Sequence, residues 1–250
     1  MPLKGMGYGC KTQAEADAME TLNLDWFYTW NQVPNLGTPA VGEFVPMLYS
    51  DNPTRLANLT RDLATLKPEA THLLGFNEPD LAGQATMTVA EARAAWPEMQ
   101  KTGLRLGSPA TISPSVVWLD QFMAESKTLQ NPDLKVDFIA CHIYQNPHVG
   151  TFLSKVDALY AKYGLPVWVT ETAVADFSVP TGTGVKSTRY TRAEVEQYMK
   201  DLWVELKKRP WLERFAWKTR ASDDEQMWFS SIFNSNLTRT STGVVYAGLS

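Results

Sequence analysis

The sequence predicts an α/β protein, a single (β/α)8 TIM barrel spanning residues 1–250 as one domain. Three observations predict it. Eight short strand-like runs follow one another, amphipathic helical segments separate most of them, and the phosphate-binding glycine turn that marks the doubly wound alternative is missing. The chain length suits either one barrel or two small domains, and it is the regular alternation that decides for the barrel.

The runs are Leu3 to Tyr8, Leu24 to Trp30, Glu43 to Tyr49, His72 to Asn77, Leu104 to Ser108, Val136 to Tyr144, Pro166 to Thr170 and Arg214 to Thr219. Each is rich in β-branched, aromatic or Leu residues and is bounded by turn formers. Helical segments cover Thr54 to Leu66, Thr88 to Lys101, Ser115 to Lys127, Thr151 to Tyr163 and Thr191 to Lys208. The last shows the 3.6-residue rhythm plainly, with Val195, Tyr198, Met199, Leu202, Trp203 and Leu206 on one face. Thr191 followed by Glu194 reads as a capping box, and Gly103 and Gly164 follow helix ends. Gly5-Met6-Gly7-Tyr8-Gly9 lacks the GxGxxG spacing and lies within the first strand. Asn31 to Gly42, with Pro34, Gly37 and Pro39, is too irregular for a helix, so the second unit is expected to lack its crossover helix. Ala175 to Tyr190 forms a Gly/Ser/Thr-rich loop after the seventh strand, on the face where barrel enzymes keep their sites.

Composition removes several classes of function. With 23 Lys+Arg against 27 Asp+Glu and no basic block, the chain is not expected to bind nucleic acid. Its apolar runs fall far short of the roughly 18 residues of a membrane span. Cys10 and Cys141 make neither a disulfide framework nor a zinc site and are expected as buried thiols. His72, His142 and His148 form no HExxH or other spaced ligand set, so neither a metal nor a cofactor is expected. The chain as given carries no export signal. Secretion in the native form is the expectation, a cytoplasmic origin stays open, and a monomer is the default.

Nine Trp, nine Tyr and ten Phe supply flat apolar faces with polar edges, which serve both sugar stacking and core packing. In a barrel, polar residues at the C-terminal ends of strands carry the chemistry. The fourth strand ends in Asn77-Glu78-Pro79-Asp80 and the seventh in Val169-Thr170-Glu171. Pro79 biases Glu78 away from the right-handed helical region, and the expectation is an extended backbone there. Two carboxyls flanking one bond supply an acid for the leaving oxygen and a nucleophile or base. A separation of about 5–5.5 Å means retention of configuration, and roughly 6.5–9.5 Å means inversion.

Gly75-Phe76-Asn77-Glu78-Pro79 resembles the Asn-Glu-Pro segment of the large clan of (β/α)8 glycosidases with two catalytic glutamates, and Val167-Trp168-Val169-Thr170-Glu171 resembles its nucleophile strand. Taken with Phe27 to Asn31, Phe44 to Tyr49, Ser108 to Ala110, Asp137 to Tyr144 and Ala216-Trp217, the chain is similar to glycoside hydrolase family 128, the β-1,3-glucanases with an Asl1-like catalytic domain. The resemblance runs from the first strand to the last. It implies a retaining endo-β-1,3-glucanase acting on laminarin or curdlan, with Glu78 as acid/base and Glu171 as nucleophile. A retaining barrel on another β-linked glycan and a catalytically silent β-glucan-binding barrel stay as alternatives, and endo against exo action stays open.

Secondary sites follow from position. Asn77 is placed to donate to the sugar 2-OH. His142 and Tyr144, two apart on one strand, face the same way, Tyr144 to bond the nucleophile and His142 to bind a hydroxyl. Trp30, Asn31, Tyr49 and Trp217 sit at strand ends as sugar platforms and a hydroxyl contact, and Trp228 in the last loop is a further candidate contact.

Overall fold

The computed structural model describes residues 1–35, 42–124 and 134–250. Among them, eight strands alternate with helices: β1 (Leu3–Gly7), α1 (Gln13–Glu20), β2 (Trp26–Tyr28), β3 (Glu43–Phe44), α2 (Pro53–Leu63), β4 (His72–Leu73), α3 (Val89–Gln100), β5 (Arg105–Leu106), α4 (Val117–Ala124), β6 (Ile139–Gln145), α5 (Val149–Tyr163), β7 (Val167–Val174), α6 (Arg192–Leu206), β8 (Leu212–Lys218) and α7 (Ser241–Ala247). Six strands pair in the order β3-β2-β1-β8-β7-β6, and β4 pairs with β5, all in parallel. Single parallel bridges join the two sets, Met47 with Leu74 and Gly107 with Phe138. Leu74 N donates to Pro46 O and Ser108 N to Phe138 O, both at 2.9 Å. The strand order is therefore cyclic, and the sheet closes as a (β/α)8 barrel.

Capping chemistry sets the helix starts. At Thr12, Thr88 and Thr191 the hydroxyl accepts from the backbone three residues on, while Glu15, Glu91 and Glu194 reach back to the capping N–H. The first of these begins α1, a two-turn helix too short to show clear periodicity. Gly164 ends α5 in the left-handed conformation. No helix follows β2 among residues 29–35, and residues 36–41 of the irregular segment lie outside those described. The end of the expected Ser115 to Lys127 helix likewise lies outside them. No helix of the described residues is long and apolar enough to cross a membrane.

Alternation along the strands sorts side chains into two cores. Trp26, Tyr28, Val45, Met47, Leu74, Phe138, Trp168 and Ala216 form one buried cluster inside the barrel. Trp168 stacks on Phe138 at 3.9 Å between centroids and tilts against Trp26 at 5.6 Å. Their neighbours Phe27, Val167, Val169, Phe215 and Trp217 belong to the larger core beneath the helices, with Val195, Tyr198 and Leu202 of α6. Gly5 carries no side chain because the Trp26 indole occupies the space a Cβ would need.

A charged network closes the end of the barrel where the strands begin. Arg214 lies over the Trp168 ring at 4.1 Å and bonds Glu43 at 2.6 Å, while Arg105 contacts both carboxylate oxygens of Glu213 at 3.2 Å. Burial pushes the Glu43 carboxyl up, but the His72 hydrogen bond and the Arg214 charge outweigh this and hold it at about 2. The charge balance here serves stability, since barrel chemistry sits at the opposite end.

Gly75 lets β4 and β5 approach at the level just below Glu78. A Cβ there would lie 2.7 Å from Gly107 O and 2.9 Å from Pro109 N, backbone atoms that cannot swing away. Gly75→Ala is expected to cost about 1–3 kcal/mol, an overpacking magnitude, seen as a lower urea midpoint with unchanged m-value.

Candidate active site

β7 runs past Thr170 to Val174, so Glu171 sits inside the strand, opposite His142 of β6. β7 is irregular at this level, shifting its register against β6 between Cys141 and His142 and against β8 between Val169 and Thr172. The extra residue, Thr170, lies in β7 and brings Glu171 onto the inward face that Trp168 also occupies, while His142 faces inward by plain alternation with Phe138. Glu171 is only 5% exposed.

Four groups reach the Glu171 carboxylate. Trp30 Nε1 donates to Oε1 at 2.8 Å and Tyr28 OH to the same oxygen at 3.1 Å. Tyr144 OH donates to Oε2. His142 Nε2 lies 3.7 Å from Oε1. Burial pushes this carboxyl up, yet the charges of His142 and Lys218 and the hydrogen bonds from Tyr144 and Trp30 more than offset it, holding the group at about 2. Burial and the Glu171 charge together push the Tyr28 and Tyr144 hydroxyls far up, so both stay protonated donors.

Glu78 stands across the cleft and is 8% exposed. Its Oε1 pairs with His142 Nδ1 at 2.9 Å. The donor atoms of Glu78, His142 and Glu171 all lie within 4.8 Å of one another. By distance these three atoms could hold a cation, although His142 Nδ1 is already engaged by Glu78. Burial lowers the basicity of His142, but the two carboxylates outweigh burial and raise its pKa. His142 itself is 0% exposed and lies between the glutamates, bonded to Glu78 through Nδ1, with Nε2 facing Glu171 but without a hydrogen-bond partner among the described residues. It is therefore not at the cleft surface, which corrects the hydroxyl contact expected from its strand position.

Glu78 also departs from the extended backbone expected of it. Its φ is +43°, in the left-handed region. Pro79 does disfavour the right-handed helical region, but Glu78 N donates to Ala110 O at 2.7 Å and Glu78 O accepts from Leu81 N at 3.0 Å. The chain thus turns at once behind the strand. Trp30 shares the feature, with φ +58°. Non-glycine residues held there cost of order 1–3 kcal/mol each, and such strain clusters at functional sites.

The glutamates open into a cleft of about 390 Å³, whose lining includes Trp30, Tyr49, Asn77 and Tyr144. Tyr49 OH donates to Gln84 Oε1 at 2.6 Å, and Asn77 Nδ2 to the same oxygen at 3.2 Å. Asn77 Oδ1 is buried without a partner among the described residues, and one of the two Nδ2 hydrogens is not used by the bond to Gln84. Three other expected contacts fall elsewhere. Trp217 is 0% exposed and gives its indole N–H to Ser230 O at 2.9 Å, because its parity on β8 points it at the helices. Asn31 bonds Asn35 and Arg55 beside the cleft. Trp228 donates to Ser187 O at 2.8 Å and anchors a loop instead of lining the cleft.

Sequence reasoning overlooked Tyr28, Lys218 and Phe177. The first two had a signal in strand parity: Tyr28 lies two residues before Trp30, and Lys218 two after the inward Ala216. Phe177, 60% exposed and lining the cleft, had none beyond its place in the loop after β7. That loop is tied down by Gln226 Nε2 donating to Val179 O at 2.6 Å, by Trp228, and by Glu225, which accepts from Gly182 and Gly184.

Paired carboxyls at this spacing, with one kept ionised, are suited to displacement at an anomeric carbon. The chain is accordingly a glycoside hydrolase: the family described as "Glycosyl hydrolase catalytic core" matches residues 5–246. Within that class it belongs to glycoside hydrolase family 128. A family 128 (subgroup I) endo-β-1,3-glucanase from Amycolatopsis mediterranei, crystallised as a glutamate-to-glutamine variant with laminarihexaose, is 31% identical, with 100% of both chains covered and a TM-score of 0.81. A curdlan-specific exo-β-1,3-glucanase of subgroup III from Blastomyces gilchristii, in complex with glucose, is 26% identical over 98% of this chain and 97% of that one, with a TM-score of 0.75. Alkali-sensitive linkage protein 1 of Schizosaccharomyces pombe is 29% identical over 182 residues, 69% of this chain and 32% of that protein, so the chain spans about a third of its length.

The depressed Glu171 carboxyl predicts a pH signature. A carboxyl whose folded pKa lies below its ordinary 4.5, here at about 2, adds stability that is present above 4.5 and is lost as pH falls toward 2. Chemical denaturation in this window is expected to show wild type losing stability more steeply than Glu171→Gln. Equal slopes would contradict the assignment.

Proposed function

We propose that this chain is a retaining endo-β-1,3-glucanase in which Glu78 is the general acid/base and Glu171 the nucleophile. The observation that carries the reading is the placement of Glu78 and Glu171 donor atoms within 4.8 Å, with Glu171 held at about 2. That spacing favours direct attack over an intervening water. Glu171 attacks the anomeric carbon while Glu78 protonates the departing glycosidic oxygen, giving a glycosyl ester. Glu78, now a carboxylate, then deprotonates the water that releases the sugar. Tyr144, Tyr28 and Trp30 hold the two Glu171 oxygens, so the nucleophile is oriented before substrate arrives.

The linkage rests on the laminarihexaose complex of the A. mediterranei enzyme, matched over its whole length, and the same match favours endo over exo action. Phe177 offers the exposed ring on which a glucosyl unit can stack, and Tyr49 offers a second at the other wall. A polysaccharide of this size is met outside cells, which favours a secreted protein.

A hydrolysis screen on laminarin, curdlan, mixed-linkage glucan, carboxymethylcellulose and mannan, with product sizes followed over time, tests the substrate. Early mixed short oligosaccharides from laminarin are expected. Glucose alone would indicate exo action, cleavage only of another glycan would move the specificity, and binding without cleavage would make this a sugar-binding barrel. Glu78→Ala is expected to lower kcat by roughly 10²–10⁴-fold on laminarin. Proton NMR of fresh digests should show the β-anomer first, and a chelator should leave the rate unchanged. Phe177→Ala should raise KM roughly threefold to tenfold, the size of one lost stacking contact, with kcat little altered.

A further inference from the structure

Lys218 closes β8 on the inward side of the barrel and lines the cleft beside both glutamates. No hydrogen bond or ion pair to a described residue satisfies its ammonium. It sits instead on the face of Trp30, 3.5 Å from the ring centroid. The edge of the same indole donates to Glu171 Oε1 at 2.8 Å, and Tyr28 packs edge-on against the ring at 5.0 Å. The backbone of Trp30 is in the left-handed region, a conformation that tertiary contacts must hold.

We propose that Lys218 is a positioning residue for the nucleophile: its ammonium clamps the Trp30 indole so that the ring edge stays aimed at Glu171 Oε1. This rests on the reading of Glu171 as nucleophile and deepens it. A cation on an indole face is attracted by the electron-rich π cloud and also polarises the ring, making its N–H a better donor. One cation thus acts on Glu171 twice, through the ring and through space. The arrangement also gives Trp30 a different task from the one its sequence position suggested. The face held by Lys218 is closed to sugar, so Trp30 serves the carboxylate first.

The groups facing Glu171 are His142 and Tyr144 from β6, Tyr28 and Trp30 from β2 and its end, Glu78 across the cleft, and Lys218 from β8. Burial lowers the Lys218 pKa while Glu171 and Glu78 act to raise it, and Arg220 opposes them. Lys218 is thus the cation at the end of β8 whose charge supports the ionised nucleophile.

The test is Lys218→Met, read by the indole ¹H–¹⁵N resonance of Trp30, assigned through its loss in Trp30→Phe, and by the ¹³C carboxyl titration of Glu171, assigned through Glu171→Gln. In Lys218→Met the indole proton is expected to move upfield and the Glu171 midpoint to rise by roughly one unit or more, the size of a lost neighbouring charge. Lys218→Arg should restore both. Unchanged indole and carboxyl signals in folded Lys218→Met would overturn the proposal. If Lys218→Met does not fold, Lys218→Gln, of similar length without the charge, is read the same way. These spectra need no substrate, so a wild-type protein that leaves laminarin intact would sink the glucanase reading while the clamp is still judged. On laminarin, kcat of Lys218→Met should fall roughly tenfold, about the worth of one desolvated cation–π contact, with KM nearly unchanged.

Discussion

Holding a carboxylate ionised at 5% exposure is the constraint around which the top of this barrel is arranged. Removing such an ion from water costs several kcal/mol unless charge and hydrogen bonds replace the solvent. Here the replacement comes from separate parts of the chain. β2 and the residues after it bring Tyr28 and Trp30, β6 brings His142 and Tyr144, and β8 brings Lys218. Residues this distant in sequence converge because the sheet closes on itself, so strands that are far apart along the chain become neighbours around the axis.

The two ends of the barrel divide the work. Where strands begin, Arg214, Glu43, Arg105, Glu213 and His72 bond one another, with Arg214 Nη1 left without a hydrogen-bond partner among the described residues, and the two arginines lie over Trp168 and Phe138. Where strands end, backbone strain is kept at Trp30 and Glu78, the residues that touch Glu171 or face it. Strain of this kind persists only if the surroundings over-determine it. The packed indoles below and the ties across the loop after β7 provide that surrounding rigidity.

The legible parts of the sequence were those with local causes. The capping box at Thr191, the glycine at the end of α5 and the 3.6-residue rhythm of α6 each depend on residues within a few positions, and all appear in the structure. β4 and β5 were readable as apolar runs, but their pairing is reduced to two residues each plus isolated bridges. Trp217 was misplaced for a physical reason: aromatic character says nothing about parity, and on β8 the inward residues are Ala216 and Lys218. The backbone of Glu78 shows the same limit. Pro79 disfavours one region, while the choice between the remaining regions falls to hydrogen bonds with Ala110 and Leu81.

By itself the sequence determined the eight strands, five of the helices and the barrel class, and it singled out Glu78 and Glu171, because alternation, capping and short motifs are written in neighbouring residues; α1 and α7, eight and seven residues long, escaped it. Tertiary structure alone decided that His142 lies between those glutamates, that Trp30 serves a carboxylate on one edge and a cation on one face, and that Lys218 stands in the cleft. These facts depend on which strands meet across the axis and on the extra residue that shifts the register of β7, quantities fixed by packing the whole barrel and not by any stretch of chain.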